Sequence, residues 1–151
     1  LDLIGRKVLN SQGKLLANFI KVIEQFCADN DDNEQMSQFT TPLMQHLEQW
    51  SELTADIANQ AEENPEAVGG AAVDYMYFSG YVTLAYLWAR MAQVAQTAIA
   101  DGNSEHAFYD AKIKTAQFFF AKLLPRTTTY AERIATGVGP YMSMDVEQFE
   151  F

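Results

Sequence analysis

The chain has 151 residues, a length that fits one domain with its own hydrophobic core. Its hydrophobic fraction of 48% excludes wholesale disorder. Its net charge of −10 argues against nucleic acid and anionic membrane surfaces as partners, because phosphate contacts need clustered Lys and Arg, and it favours solubility.

The chain contains a single cysteine, Cys27, which cannot form an internal disulfide and therefore favours a cytoplasmic setting. Cys27 follows Ile23 at helical spacing, so we expect it in the core and not at a catalytic centre. No signal peptide is visible. The chain opens on the helix-like residues 1–4 without an initiating Met, and we expect a segment of a longer protein.

The first part of the chain predicts a short helix and two longer ones. Residues 2–9 form the short N-terminal helix, which Asn10-Ser11 and Gly13 interrupt. The next helix ends at about Ala28 and is followed by a polar, acidic loop over residues 29–34. The helical apolar repeats are Leu16, Phe19, Ile20, Ile23, Phe26 and Cys27, then Met36, Phe39, Leu43, Leu47, Trp50, Leu53, Ile57 and Ala61.

A proline falls within the second of these long helices. At Thr41-Pro42 the helix either starts or bends after a preliminary turn, and we favour the bend.

The longest predicted helix, over residues 66–101, organises the rest of the chain. Asn64-Pro65 is a helix start, since Asn can cap and Pro suits the first turn, and Asp101-Gly102 is a helix stop. An unbroken helix here would run ~54 Å at ~1.5 Å per residue. Its apolar residues lie on two neighbouring heptad lines: Phe78, Tyr81, Ala85, Trp88, Ala92, Ala95 and Ile99, and Tyr77, Leu84, Leu87, Met91, Val94 and Ala98.

A helix that is apolar over most of its circumference must be covered by other helices or by lipid. Lipid is disfavoured because the uncharged run from Tyr75 to Ala89 is only fifteen residues long and contains four Tyr, whereas a membrane span needs ~20 predominantly apolar residues. We therefore expect no membrane span, and we expect the other helices to wrap this one without leaving a wide exposed face.

The last part of the chain predicts one kinked helix. Asn103 or Ser104 caps it, and Pro125 stops or kinks it before helical spacing resumes over residues 126–136. The tail, residues 138–151, carries one further turn near residues 145–149. The buried face is predicted to contain Tyr109, Ile113, Ala116, Phe120 and Leu123, widened by Phe118 and Phe119.

No segment alternates like a strand. The sequence therefore predicts an all-α fold over a single domain, 1–151: an antiparallel up-down four-helix bundle with a short N-terminal helix and a kinked last helix.

A search for catalytic motifs gives no catalytic, cofactor-binding or metal-ligating residue. The only imidazoles are those of His46 and His106. A di-iron bundle needs a Glu three residues before each His, and those two positions hold Leu43 and Asn103. One Cys with two scattered His makes no zinc site. Gly137-Val138-Gly139 lacks the strand and the third glycine of a dinucleotide-binding loop.

Two charges stand out on the long helix, Asp74 and Arg90, because their neighbours are apolar. They lie ~24 Å apart along a helix and cannot pair with each other, so each needs a partner on another helix if it is buried. We favour a structural role for both over a catalytic one. The aromatic residues of this helix could line a ligand pocket, but core packing is the more common use; they are Tyr75, Tyr77, Phe78, Tyr81, Tyr86 and Trp88.

Three segments resemble one family. Leu1-Asp2-Leu3-Ile4-Gly5-Arg6-Lys7 resembles the segment that follows the Tyr-Glu-Gly-Thr and Gly-Ile-Gln-Ala motifs of bacterial long-type acyl-CoA dehydrogenases, which include the methylthiopropionyl-CoA dehydrogenases. Gly80 with Leu87-Trp88-Ala89-Arg90-Met91-Ala92 resembles the core of their C-terminal helical extension. Residues 108–125, from Phe108-Tyr109-Asp110 to Leu124-Pro125, resemble its next helix.

The resemblance implies an accessory domain of an enzyme. Members of the family oxidise an acyl-CoA to the 2,3-enoyl-CoA with FAD, and their base is the Glu of the Tyr-Glu-Gly-Thr motif, which this chain does not contain. No catalytic residue can therefore be assigned here, and no cofactor is expected in these residues, although the parent enzyme would hold FAD. The implied partners are the catalytic domains of the parent chain, its acyl-CoA substrate and, as a homo-oligomer, further copies.

Two alternatives remain at this point. The chain could be an independent helical interaction module, or a bundle that binds a small molecule among its aromatic side chains. A pocket of a few hundred cubic ångströms among those aromatics would favour the second alternative.

Overall fold

All regular secondary structure in the part of the chain that the structure, a computed structural model, describes (residues 1–150) is helical, which confirms the all-α prediction. Two π-helical stretches, Asp2–Val8 and Phe119–Leu123, and two short 3-10 helices, Leu9–Ser11 and Val146–Phe149, accompany the α-helices. The α-helices are α1 (Lys14–Ala28), α2 (Ser37–Glu63), α3 (Glu66–Ala100), α4 (His106–Phe118), α5 (Arg126–Ala135) and α6 (Gly139–Met142).

Local sequence signals set the ends of these helices. Asn64 Oδ1 accepts a hydrogen bond from the Glu66 backbone N–H at 3.0 Å, and Asn103 Oδ1 accepts one from the Glu105 N–H at 2.9 Å, so each asparagine side chain closes a turn just before α3 or α4. Gly102 follows α3 with φ +76°, a left-handed conformation that glycine adopts without strain.

Pro42 lies inside α2, which begins before it at Ser37, so the helix does not start at the proline. Proline has no backbone N–H to donate within the helix. The Pro42 carbonyl, in turn, contacts Nδ1 of His46 at 2.7 Å, so the histidine side chain satisfies this carbonyl in addition to the helix.

The longest helix, α3, packs against α2, α4 and α5 and against the N-terminal π-helical stretch, while α1 packs on α2. Contacting residues on neighbouring helices follow one another in opposite order, so these helix pairs run antiparallel. Examples are Trp50 with Tyr75 and His46 with Phe78 between α2 and α3, and Asp74 with Arg133, Tyr77 with Tyr130 and Tyr81 with Arg126 between α3 and α5.

One side of α3 is not covered, and the expectation that the other helices wrap it completely is wrong. Seven large apolar side chains along one face are between 36% and 61% exposed. The neighbouring helices cover other sides of α3, where Ala85, Ala89 and Ala92 are fully buried. We call the exposed set the apolar face of α3: Val73, Met76, Tyr77, Leu84, Leu87, Met91 and Val94.

The register of the last helical region also differs from the prediction. Phe119 and Leu124 are buried, whereas Phe120 and Leu123 are only partly buried and Phe118 is 57% exposed. The π-helical stretch over Phe119–Leu123 explains why Leu124 and not Leu123 is buried, because a wider turn moves the residues that follow it around the helix axis.

The tail contains the predicted turn. Asp145 caps the 3-10 helix Val146–Phe149 in a reciprocal arrangement with Gln148, whose side chain accepts a hydrogen bond from the Asp145 N–H at 2.8 Å. The last residue of the predicted tail, Phe151, lies outside the described residues.

Candidate functional site

Asp74, one of the two charges singled out from the sequence, is buried on the α5 side of α3. Its Oδ2 lies 3.3 Å from Nε of Arg133, a residue of α5 whose side chain is 55% exposed. The pair is therefore only partly buried: the Asp74 carboxylate is removed from water, while the Arg133 guanidinium remains in contact with water. This geometry ties α3 to α5 and leaves Asp74 engaged in packing.

We predict that the two members of this pair differ in their effect on stability. Arg133→Ala strands a buried carboxylate and should cost roughly 1–3 kcal/mol, less than for a fully buried pair because water can reach the vacated side. Asp74→Asn removes the buried charge itself and should cost about 1 kcal/mol or less. Urea unfolding of both variants and of the double variant measures this order.

The exposed Arg90→Ala variant is the control for loss of an arginine and should change the unfolding free energy by less than about 1 kcal/mol. In the double variant, the cost of Arg133→Ala should shrink, since no carboxylate remains to be stranded. Equal costs for Arg133→Ala in both backgrounds would contradict a role for the pair.

Arg90, the second charge, is exposed and has a partner on its own helix. Its guanidinium carbon lies 5.7 Å from the ring centroid of Tyr86, a cation–π contact. Phe19 and Phe26 of α1 pack edge-on against the same ring and hold it in place. Arg90 is thus positioned at the surface, and it does not need a cross-bundle ion pair.

Arg90 borders a groove of about 440 Å³ between α3 and α4, whose lining is almost entirely apolar. The aromatic residues predicted as possible pocket lining do not contribute to it; Tyr75 and Phe78, for example, lie in the packed core. The groove is continuous with the apolar face of α3, and its lining residues are Leu87, Arg90, Met91, Val94, Phe108, Tyr109 and Lys112.

A row of tyrosines joins α3 to α5 beside the Asp74 pair. Tyr130 stacks on Tyr77 at 5.2 Å and on Tyr81 at 5.9 Å between ring centroids. Arg126 donates from Nη1 to the Tyr81 hydroxyl at 3.1 Å, and this hydrogen bond raises the pKa of Arg126.

Sequence reasoning missed Arg126 and Arg133. Both arginines lie on one heptad line of α5, opposite the heptad line of Asp74 and Tyr81 on α3. This shared seven-residue spacing would predict the two contacts, but only if the antiparallel register of α3 and α5 were already known.

The core contains one buried polar network. The Tyr75 hydroxyl accepts a hydrogen bond from Nε1 of Trp50 at 3.1 Å and lies 2.8 Å from Oγ1 of Thr54. Burial raises the pKa of Tyr75, and the hydrogen bonds to its side chain oppose part of that rise. Within residues 1–150, every buried side-chain nitrogen and oxygen has a hydrogen-bond partner, so the core leaves no polar atom free to bind a ligand.

The remaining candidates for chemistry are tied into structure. Burial, and secondarily the charge of Glu24, raise the pKa of Cys27 to about 11, which keeps its thiol protonated and unreactive. The nitrogens of His46 contact the Pro42 carbonyl and the Thr127 hydroxyl, so this imidazole is not paired with the thiol. Residues 1–150 contain no cluster of three or more His, Cys, Asp or Glu that could hold a metal ion.

None of the helices in the described part of the chain combines the length and apolarity that a bilayer crossing requires.

Comparison with known proteins gives one assignment. Residues 19–145 match the family described as acetyl-CoA dehydrogenase C-terminal like. No curated protein matches the chain significantly. The match covers most of the chain and includes α2 to α5 with their contacts, so the chain belongs to this family of C-terminal domains of acyl-CoA dehydrogenases.

Proposed function

We propose that the chain is the accessory C-terminal helical domain of a FAD-dependent acyl-CoA dehydrogenase, with residues 1–151 forming one domain of a longer enzyme. The observation that carries the proposal is the family match over residues 19–145. The parent enzyme would oxidise an acyl-CoA to the 2,3-enoyl-CoA, with a carboxylate outside this chain as base and FAD as hydride acceptor. Residues 1–7 resemble the bacterial long-type acyl-CoA dehydrogenases, a group that includes the methylthiopropionyl-CoA dehydrogenases, and we propose a parent enzyme of this group.

The role that we assign to the domain is to provide a packing surface for other parts of the enzyme. The apolar face of α3 supports this, since soluble monomers rarely leave a long continuous apolar stripe unpartnered. Such a surface would pack on the catalytic part of the enzyme or across its oligomer interface. We further place the parent in the bacterial cytoplasm, in keeping with the single reduced cysteine, and assign it to fatty acid metabolism.

The residues of this chain do not fit a flavin. The groove beside Arg90 has an apolar floor. Its two cations each lie over an aromatic ring, Arg90 over Tyr86 and Lys112 over Phe108 at 5.1 Å, and they do not converge on a point where a pyrophosphate would need them. We therefore place FAD, the acyl-CoA and the reacting atoms in the rest of the parent enzyme.

The test compares three proteins: the complete parent enzyme, the parent without these residues, and the 151-residue chain alone. We expect the chain alone, mixed with FAD, butyryl-CoA and an electron acceptor, to show no bound flavin in its visible spectrum and no turnover above background. We expect the complete parent enzyme to show both bound flavin and turnover. Flavin bound by the chain alone, or turnover by it, would overturn the accessory-domain assignment.

A further inference from the structure

The apolar face of α3 continues over seven helical turns in a regular heptad pattern. Val73, Tyr77, Leu84, Leu87, Met91 and Val94 occupy its core positions, together with Gly80 and Ala98. From Tyr75 to Ala100 the only charged residue is Arg90, although the chain as a whole carries −10. The stripe is therefore a neutral seam on an acidic molecule, of the kind that pairs with another helix.

The order of side-chain sizes along the seam points to its occupant. Reversing the seam about the midpoint between Leu84 and Leu87 places a smaller residue opposite a larger one in three of the four resulting pairs, and leucine opposite leucine in the central pair. In this alignment, Gly80 faces Met91, and Leu84 faces Leu87. A surface that complements itself under a two-fold rotation fits an isologous interface. The resulting pairs are Val73 with Ala98, Tyr77 with Val94, Gly80 with Met91, and Leu84 with Leu87, each present twice.

We propose that the apolar face of α3 is the contact between two copies of this chain, with the two α3 helices packed antiparallel in this register. The inference goes beyond the accessory-domain function and does not depend on it, because it rests only on the residues of this face. It commits to a second copy, and not to the catalytic part of a parent enzyme, as the occupant.

Charge and size agree with this pairing. The two Arg90 side chains would lie about 13 Å apart along the helix axes, beyond the ~8 Å over which charges interact strongly at physiological ionic strength. The seam from Val73 to Ala98 is about 38 Å long, and with the adjoining part of α4 it is about two helix diameters wide. Such a strip is close to the ~800 Å² that a stable interface takes from each partner.

The groove between α3 and α4 adds shape to the contact. In the proposed register, Leu84 and Tyr77 of one copy lie over Leu87 and Val94 of the other, at the rim of the groove. The exposed Phe108 forms part of the groove wall and would be covered at the same time.

The first test measures mass and affinity by sedimentation equilibrium of the 151-residue chain. We expect a reversible dimer, and Gly80→Glu should raise its dissociation constant at least about 30-fold, the change typical of a residue at an interface centre. A side chain at Gly80 meets open space within one copy, so this variant should fold. The matched control is Gly69→Glu, an exposed glycine of the same helix beyond the last pair, which should leave the dissociation constant within about threefold. A monomeric chain, or equal effects of both variants, overturns the proposal.

The second test fixes the direction of pairing by disulfide formation in a Cys27→Ala background. Under mild oxidation, a mixture of Gly80→Cys and Met91→Cys chains should cross-link, while each variant alone should not, since a disulfide needs Cα atoms within about 7 Å. Cross-linking of each variant with itself would show parallel pairing and overturn the antiparallel assignment, and no cross-link in the mixture would overturn the interface. Neither test involves flavin or acyl-CoA, so its failure is distinct from failure of the proposed function.

Discussion

Replacing Tyr75 with alanine is expected to lower the free energy of unfolding by roughly 3–5 kcal/mol, the range for truncating a large buried aromatic residue. Tyr75 is fully buried in α3, where α2 and α3 meet. The substitution opens a cavity and also removes the hydroxyl that accepts the Trp50 indole N–H. Urea unfolding followed by far-UV circular dichroism measures the loss.

A second variant separates the cavity from the hydrogen bonds. Tyr75→Phe keeps the ring and should cost roughly 1–3 kcal/mol, because the Trp50 N–H is left buried without its acceptor. Tyr77→Phe removes a hydroxyl from a half-exposed tyrosine two residues away and should stay within about 0.5 kcal/mol. Similar losses for the two phenylalanine variants would show that the polar network contributes nothing specific.

Tyr75 also makes the stability of the protein depend on pH in the alkaline range. Burial raises the pKa of Tyr75 above its ordinary value of 10.0, so the folded state keeps this proton at pH values where the unfolded chain has lost it. The contribution of Tyr75 to stability is therefore constant below about pH 10 and falls as the pH rises beyond it. Tyr75→Phe lacks this contribution, and its stability relative to the wild type should improve between about pH 8 and about pH 11.

The bounds of α3 were predictable because strong local signals mark both ends. Asn64-Pro65 precedes the start of the helix and Gly102 follows its end. Both signals depend only on the local backbone: Asn64 accepts a hydrogen bond from the Glu66 N–H, and Gly102 adopts a left-handed conformation. Which side of α3 is covered was not predictable in the same way. Apolar residues at helical spacing look alike whether they pack inside one chain or against another, so the sequence predicts Leu84 and Val94 in the core although both are exposed.

The candidate site shows the same division between local and tertiary information. Asp74 stood out in the sequence because a lone carboxylate on an apolar helix needs an explanation. Its partner Arg133 did not stand out, since α5 is short and polar and an exposed arginine there is ordinary. Only the antiparallel register of α3 and α5 brings the two together, and that register depends on the packing of residues far apart in the sequence.

The π-helical stretch Phe119–Leu123 was the feature least accessible from sequence. Three consecutive phenylalanines leave the helical register open, because any of them could point into the core. Packing decides between them: Phe119 approaches Tyr81 and Phe120, while Phe118 points into solvent.

The choice between adjacent phenylalanines gives the second large effect. Phe119→Ala is expected to cost roughly 3–5 kcal/mol, because the side chain is only 4% exposed and its removal leaves a cavity between α3 and the last helical region. Phe118→Ala makes the same chemical change one residue earlier at a 57% exposed position, and it should stay within about 0.5 kcal/mol.

Urea unfolding of the two variants, with unfolding slopes compared to ensure that both remain two-state, measures this contrast. Phe118→Ala lies at the end of α4, outside the apolar face of α3, so it also serves as a control for self-association. A large loss for Phe118→Ala with a small one for Phe119→Ala would place Phe118 in the core instead. That outcome would contradict the arrangement in which Phe119 lies inward and one wider turn then brings Leu124 inward.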